Sequence, residues 1–162
     1  MTTHKYLKTK LTNRESFDTM QYNEIKTKIN TKWVDEHGIL WMKVLDGAHI
    51  DLPSLLDDYE RGLELIENRE VYAIYDATPF FTITAEARDY LNSGVLNKNR
   101  KATAVITSNL AVRLLVNFMN RFKQRQSPLN MFPDQASAFD WIMTLMEKEK
   151  TNSELLTKTD RF

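Results

Sequence analysis

Apolar and polar side chains alternate along residues 24–33, which is the period of a strand with one wet face. The inward set is Ile25, Thr27, Ile29, Thr31 and Trp33, and the wet set is Glu24, Lys26, Lys28, Asn30 and Lys32. A turn at residues 35–38 follows, and residues 39–45 are apolar on both faces except at Lys43. The two segments predict an antiparallel hairpin whose second strand is more central in a sheet.

Buried strands and amphipathic helices alternate after this hairpin. Strands are predicted at residues 71–75, 102–106 and 129–132, and helices at residues 51–66, 84–91, 110–122 and 134–150. This order predicts an α/β fold with a single mixed, mostly parallel sheet and about four helices. We expect a flexible arm over residues 1–20, one domain over residues 21–150, and a polar tail over residues 151–162 that frays after Lys150.

Two of the predicted helices have a clear apolar stripe. In the first helix the stripe is Leu52, Leu55, Leu56, Tyr59, Leu63 and Ile66, opposite Asp57, Asp58, Glu60, Glu64 and Glu67. In the third helix it is Leu110, Leu114, Leu115, Phe118, Met119 and Phe122. We expect both stripes to face the core and the acids of the first helix to face water.

Composition narrows the class of protein. The 162 residues are 42% hydrophobic and 27% charged, which excludes a disordered chain, a collagen-like repeat and a membrane protein. Lys+Arg and Asp+Glu are equal at 22, so the net charge is zero. Electrostatic repulsion between two copies of the chain therefore does not oppose a homodimer. Because the chain has no cysteine and no export signal, we expect a cytoplasmic protein without thiolate metal sites.

Motifs for catalysis and cofactor binding are absent from the sequence. Four glycines cannot build a phosphate cradle of the usual kind, and no G-x-S-x-G elbow occurs. A metal site is conceivable from Asp35, Glu36, His37 and His49, but solvated turn residues are the favoured interpretation. Core packing is likewise favoured for Trp33, Trp41 and Trp141. We therefore expect no enzyme, no cofactor and no metal.

Charge is segregated along the chain. Residues 46–70 contain eight acids and two bases, whereas residues 97–125 contain seven bases and no acid. Ordinary solvated faces would explain both runs. The functional alternative is a docking surface for a protein partner or for another copy of the chain. Nucleic-acid binding is disfavoured because the bases lack interleaved exposed aromatic residues and the whole chain is neutral.

Small polar residues follow two buried strands at the point where each strand ends. They are Asp76, Thr78 and Thr84 after the first strand, and Thr107, Ser108 and Asn109 after the second. Turn and capping chemistry alone would explain these residue types. The alternative is a site for a small anion or a partner at the helix N-termini, helped by Arg113 one turn into the third helix.

Three segments resemble a known family. They are residues 71–91, 101–122 and 129–142, and with the hairpin they are similar to SpoIIAA-like, STAS-related proteins, particularly small members from Bacteroidetes-type bacteria. The late element F-x-[DE]-x-x-x-A-x-x-W-[IL] is represented by Phe132, Asp134, Ala138, Trp141 and Ile142. The resemblance implies a SpoIIAA-like sandwich of one sheet and about four helices, without enzymatic activity.

The resemblance also bears on partners and regulation. Many STAS domains bind protein partners, others bind small ligands, and some carry an Asp-Ser-Ser-Gly element whose serine is phosphorylated. Here that element falls on Thr84, Ala85, Glu86 and Ala87, so the serines and the glycine are missing. Glu86 would place a fixed negative charge near the phosphate position, and Thr84 is the remaining hydroxyl. A phosphoserine switch of the usual kind is therefore not expected.

The first functional hypothesis is a regulatory or scaffolding module that binds a protein partner. The alternative is a binder of a small anionic or lipid-like ligand at the strand-end loops, which requires a concave pocket there. An enzyme would need a perturbed acid or base in a cleft, and the sequence offers only Asp76 for that role.

Overall fold

The computed structural model describes residues 23–121 and 127–159, so the predicted arm at residues 1–20 lies outside the described part. The strands are β1 Ile25–Lys26, β2 Asn30–Val34, β3 Leu40–Val44, β4 Ala48–Ile50, β5 Val71–Asp76, β6 Phe81–Ile83, β7 Arg100–Ile106 and β8 Leu129–Phe132. The helices are α1 Leu52–Leu65, α2 Ala85–Asn92, α3 Leu110–Arg121 and α4 Gln135–Thr159, with a short 3₁₀ helix at Val95–Asn97.

The main sheet has six strands in the order β1-β2-β3-β5-β7-β8. The first three strands pair antiparallel, and β3, β5, β7 and β8 pair parallel. Each parallel step is joined by a helix, as crossover connections require. The predicted mixed, mostly parallel sheet with an N-terminal antiparallel hairpin and four helices is therefore confirmed.

The first predicted strand is interrupted. The Thr27 N–H donates to the Asn30 carbonyl oxygen at 2.9 Å, and the Thr27 hydroxyl accepts from the Asn30 N–H at 3.0 Å. These bonds close a turn between β1 and β2. A threonine side chain that forms hydrogen bonds with nearby backbone competes with the hydrogen bonds between strands. For this reason the alternation in the sequence predicted one strand that was too long.

A second, two-stranded sheet was not predicted. Strands β4 and β6 pair parallel, and the His49 ring bonds the Thr82 hydroxyl across them at 2.8 Å. Three residues are too short a window for a period of two to be recognised. This pair places the start of α2 beside the start of α1, because the Thr84 N–H donates to the Ile50 carbonyl oxygen at 2.9 Å.

The sheet separates two cores. On one face α4 packs Ala138 and Ile142 against Trp41 and Ile74. Trp33 stacks on Trp41 with ring centroids 5.9 Å apart, so the expected core role of these indoles is confirmed. On the other face, helices α1, α2 and α3 cover the sheet with the buried side chains of Leu55, Ala87, Val112 and Val116, and Ile66, directly after α1, is buried on the same side.

The turn between β2 and β3 is organised by Asp35. Its carboxylate accepts from the Trp41 indole N–H at 2.8 Å and from the Ile39 and His37 backbone N–H groups, each at 2.9 Å. A carboxylate engaged in this way is a structural acceptor. No group of three metal-ligating side chains occurs within residues 23–121 and 127–159.

The helices begin at the predicted capping residues, whereas the C-terminus of α4 lies beyond the predicted position. Asp51 and Ser54 form a capping box at α1, and Asp134 accepts from the Ser137 N–H at 2.8 Å. Helix α4 continues to Thr159, beyond its predicted end at Lys150. In the part of the chain that the structure describes, no helix is both long and apolar enough to cross a membrane.

Candidate functional site

The predicted strand-end loops do lie side by side. Asp76 is in register with Ile106 of the neighbouring strand, and the Ala77 N–H donates to the Ile106 carbonyl oxygen at 2.9 Å. Thr107 follows directly and is buried. The sheet therefore brings together the loops after β5 and β7, as its parallel pairing predicted.

The polar atoms of these loops are used in turns and caps. The Asp76 carboxylate accepts from the Thr78 N–H at 3.0 Å and from the Thr78 hydroxyl at 2.6 Å. Thr107 Oγ1 accepts from the Asn109 N–H at 3.1 Å, and Asn109 Oδ1 accepts from the Ala111 N–H at 2.8 Å. The turn and capping alternative thus accounts for four of the predicted site residues.

The remaining predicted residues lie nearby on helix starts. Thr84 caps α2 by accepting from the Ala87 N–H at 3.2 Å, and Glu86 is exposed in the first turn of that helix. Ser108 and Arg113 are exposed at the start of α3. None of the eight predicted residues lines either of the two cavities described next. Ligand binding at this edge stays a prediction.

A cavity of about 170 Å³ lies between the main sheet and helices α1, α2 and α3. Every side chain that lines it is buried or half-buried. Most of the lining is aliphatic or aromatic, contributed by the sheet, by the small β4–β6 pair and by the helices. The polar side chains on its wall include Asn30, Lys32, Asp58, Tyr59, Tyr75 and Arg100.

The Lys32 side chain extends from β2 to the wall of this cavity. In the strand register, Lys32 pairs with Met42, Met42 with Tyr75, and Tyr75 with Val105, so these residues form one row across the sheet. The row faces helices α1, α2 and α3. Asn30 and Lys32 are only 3% and 1% exposed, so the expectation that their side of the strand is wet is wrong.

Asp58 of α1 is the partner of Lys32. Lys32 Nζ lies 2.6 Å from Asp58 Oδ2 and also donates to the Asp58 carbonyl oxygen at 2.6 Å. Asp58 Oδ1 accepts from the Thr27 hydroxyl at 2.6 Å. Asp58 is 5% exposed, so its expected place on a solvated acidic face is also wrong. The charge on this carboxylate compensates the buried ammonium group, which a sequence pattern along one helix cannot show.

Gly62 makes room for the ammonium group. A Cβ atom at Gly62 would lie 2.9 Å from Lys32 Nζ, closer than two such atoms pack. Burial lowers the pKa of Lys32, and the neighbouring Asp58 carboxylate opposes that shift. A glycine inside an otherwise good helix was the one signal in the sequence that pointed to a close approach here.

Arg100 is the second buried cation. It is 9% exposed, and its Nη1 has no hydrogen-bond partner in the part of the chain that the structure describes. The strand register shifts between Val71 and Tyr72 opposite Arg100, so Lys101 is an extra residue in β7. Such a bulge redirects a side chain, and here Arg100 lines the same cavity as Thr103 and Val105. Burial lowers the pKa of Arg100 and raises that of Tyr75.

The outer face of α3 carries exposed apolar side chains. Leu110 is 69% exposed and Leu114 60%, whereas Val112 and Val116 are buried against the sheet. The sequence placed Leu110, Leu114 and Phe118 in the core stripe, and the structure places them on the exposed face instead. Phe122, Lys123 and Arg125 lie outside the described residues. Both faces of α3 are apolar, so the predicted stripe mixed these exposed side chains with Leu115 and Met119, which are half-buried and line the cavity.

A polar groove of about 610 Å³ runs beside α4. Glu149 accepts from Lys101 Nζ at 2.6 Å and from the Tyr72 hydroxyl at 2.9 Å. The hydrogen bond from Lys101 is the main cause of the lowered pKa of Glu149, and burial is the main cause that raises the pKa of Tyr72 to about 12. These contacts attach α4 to the N-terminal ends of β5 and β7.

Comparison with known proteins places these features in a family. The model described as "Domain of unknown function (DUF7793)" matches residues 32–146, which include α3 and most of the residues that line the interior cavity. A crystal structure from Shewanella loihica PV-4, described as an uncharacterized protein from the DUF3478 family with a SpoIIAA-like fold, is similar at 20% identity and a TM-score of 0.47. That match covers 75% of this chain and 91% of that chain. No curated protein matches the sequence.

Proposed function

This chain belongs to the family described as "Domain of unknown function (DUF7793)", and we propose that it is a non-enzymatic regulatory or scaffolding module that binds a protein partner through α3. The observation that carries the proposal is the exposure of Leu110 and Leu114 one turn apart on one face of that helix. Single exposed leucines are ordinary, whereas adjacent ones form a patch of the kind found at protein interfaces.

The charge of α3 indicates the chemistry of the partner. Arg113 lies between the two leucines in sequence, Arg121 ends the described part of the helix, and α3 contains no acid. Two other bases of the basic run at residues 97–125 are less accessible to a partner than the arginines of α3. Arg100 is buried, and Lys101 is paired with Glu149. We infer a partner surface that is apolar and rimmed by carboxylates, which would complement the two arginines.

The test compares matched leucine variants in capture from host lysate. Leu114→Glu introduces a charge on α3, and Leu156→Glu introduces the same charge at an exposed leucine of α4. We expect one protein to be captured by the wild type and by Leu156→Glu but lost with Leu114→Glu and with Arg113→Glu. The captured protein, produced in pure form, should then slow amide exchange in α3.

Two results would count against this function. One is equal recovery of the same proteins with all four forms of the chain. The other is concentration-dependent self-association, seen by light scattering, that Leu114→Glu abolishes, which would make a second copy the occupant of α3. A cytoplasmic location and the STAS relationship remain part of the proposal, and cell fractionation would check the former.

A further inference from the structure

We infer that the cavity between the sheet and helices α1, α2 and α3 binds a small organic acid with one carboxylate on an apolar body. This site is separate from the outer face of α3 and does not depend on the proposed partner. The inference rests on three observations: a buried guanidinium group whose Nη1 atom has no hydrogen-bond partner among the described residues, an excess of one positive charge, and an apolar wall around an interior space.

Arg100 carries the first observation. Its side chain lines the cavity, is 9% exposed, and leaves Nη1 without a hydrogen bond in the described part of the chain. Buried charged donors are normally paired, because an unpaired one loses its hydration without compensation. A guanidinium group offers two parallel N–H donors, and a carboxylate accepts both. The missing partner of Arg100 Nη1 is therefore best supplied by a carboxylate from outside the chain.

The charge of the cavity wall supports a single negative charge on the ligand. Lys32 is already committed, since its Nζ contacts both the side chain and the backbone oxygen of Asp58 at 2.6 Å. That ion pair is neutral as a unit, so Arg100 leaves an excess of one positive charge on the described wall. A phosphate monoester would bring more negative charge than the wall can balance.

The third observation is the size and lining of the space. A volume of about 170 Å³ is close to that of dry protein cavities, about 150 Å³, that hold a benzene molecule. Its wall includes Leu55, Val105, Val112, Val116 and Leu129. An aromatic or medium-chain body would fill it. Asn30 Oδ1, which is buried and has no partner in the described residues, lies on the same wall and could accept from a ligand hydroxyl.

The experiment uses the full chain and a series of probes: benzoate, hexanoate and octanoate, with benzyl alcohol and octanol as neutral counterparts. Binding is measured by calorimetry and by methyl chemical shifts of Val105, Val112 and Val116, which line the cavity. We expect at least one acid to bind at a single site, to shift these methyl signals, and to bind about ten- to hundredfold more tightly than its alcohol.

Two variants connect this binding to the cavity. Arg100→Met removes the charge while keeping a side chain of similar length. It should weaken binding of the acid about ten- to hundredfold and leave binding of the alcohol nearly unchanged. Arg100→Lys keeps the charge and should restore part of the affinity. Val116→Phe fills the cavity from α3 and should abolish binding of both probes.

Several outcomes would overturn the inference. If no acid in the series shifts the three methyl signals of the wild type, the cavity is filled by water or is closed to ligands. If Arg100→Met binds the acid as tightly as the wild type, the guanidinium group is structural. If a variant fails to fold, the comparison of acid with alcohol in the wild type still decides, since equal affinities would exclude recognition of the carboxylate.

Discussion

Lys32 Nζ lies 2.6 Å from Asp58 Oδ2, and the two side chains are 1% and 7% exposed. Burying two charges costs several kcal/mol for each ion, and this cost is offset only when the remaining polar atoms are also satisfied. Here Lys32 Nζ also donates to the Asp58 carbonyl oxygen, and the Thr27 hydroxyl donates to the second carboxylate oxygen of Asp58. The pair therefore joins β2 to α1 along the edge of the interior cavity.

Removing one partner of this pair should be strongly destabilising. We expect Asp58→Ala to lower the free energy of unfolding by about 3–5 kcal/mol, because Lys32 would be left as an uncompensated buried charge. Urea unfolding followed by tryptophan fluorescence measures the change. The matched control is Asp57→Ala, the neighbouring acid of α1, which forms an exposed pair with Arg61 and should change stability by less than about 1 kcal/mol.

Replacing both partners tests whether the charges themselves stabilise the fold. In the double variant Lys32→Met with Asp58→Leu, apolar side chains of similar size occupy the same space. Such replacements are often neutral or stabilising, so we expect much of the Asp58→Ala loss to be recovered. A double variant as unstable as Asp58→Ala would mean that the hydrogen bonds of Thr27 and Lys32 contribute more than the ion pair costs.

The effect of Gly62→Ala on the free energy of unfolding should change sign when the residue at position 32 is changed. A helix normally gains up to about 1 kcal/mol from this replacement. In the wild type the new Cβ would lie 2.9 Å from Lys32 Nζ, which two short hydrogen bonds hold in place, so we expect a net loss of stability. In a Lys32→Met background the ammonium group is gone and Gly62→Ala should stabilise. A gain in both backgrounds would show that Lys32 relaxes freely.

Glu149 should contribute stability that disappears in acid. Its pKa is lowered in the folded protein by hydrogen bonds from Lys101 and Tyr72, so the unfolded chain binds the proton more tightly. The contribution is therefore present above the ordinary glutamate pKa and is lost as the pH falls through the lowered value. The side chain is 46% exposed, which limits the effect to below about 1 kcal/mol.

Urea unfolding of Glu149→Gln at neutral and acidic pH measures this contribution. The variant should be slightly less stable than the wild type near neutral pH, and the difference should shrink in acid. Glu154→Gln, at an exposed position of the same helix, is the control. A difference between Glu149→Gln and the wild type that is independent of pH would indicate lost packing rather than lost charge.

The two faces of α3 should respond differently to truncation. Val116→Ala removes buried methyl groups and should lower the free energy of unfolding by about 2 kcal/mol. Leu114→Ala removes more atoms from an exposed side chain and should change it by less than about 0.5 kcal/mol. The same denaturation experiment measures both. Comparable losses would mean that Leu114 is covered in solution, which would favour association through this face.

The architecture was predictable because it depends on local patterns. Strands β3, β5, β7 and β8 are short apolar runs, and caps such as Asp51 and Asp134 mark helix starts. The neighbouring positions of Asp76 and Thr107 followed from parallel pairing alone. The pair β4–β6 did not follow, because each strand has three residues and its partner is distant in sequence.

The sequence by itself determined the order of the four helices and of strands β2, β3, β5, β7 and β8, since hydrophobic period and capping act within a few residues. Only the tertiary structure decided which polar residues are buried. Lys32, Asp58 and Arg100 come from a predicted wet strand face, an acidic helix face and a basic segment, and the fold places all three on one cavity wall. Burial of a charge depends on a partner or a cavity supplied by another element, so no pattern within one segment contains it.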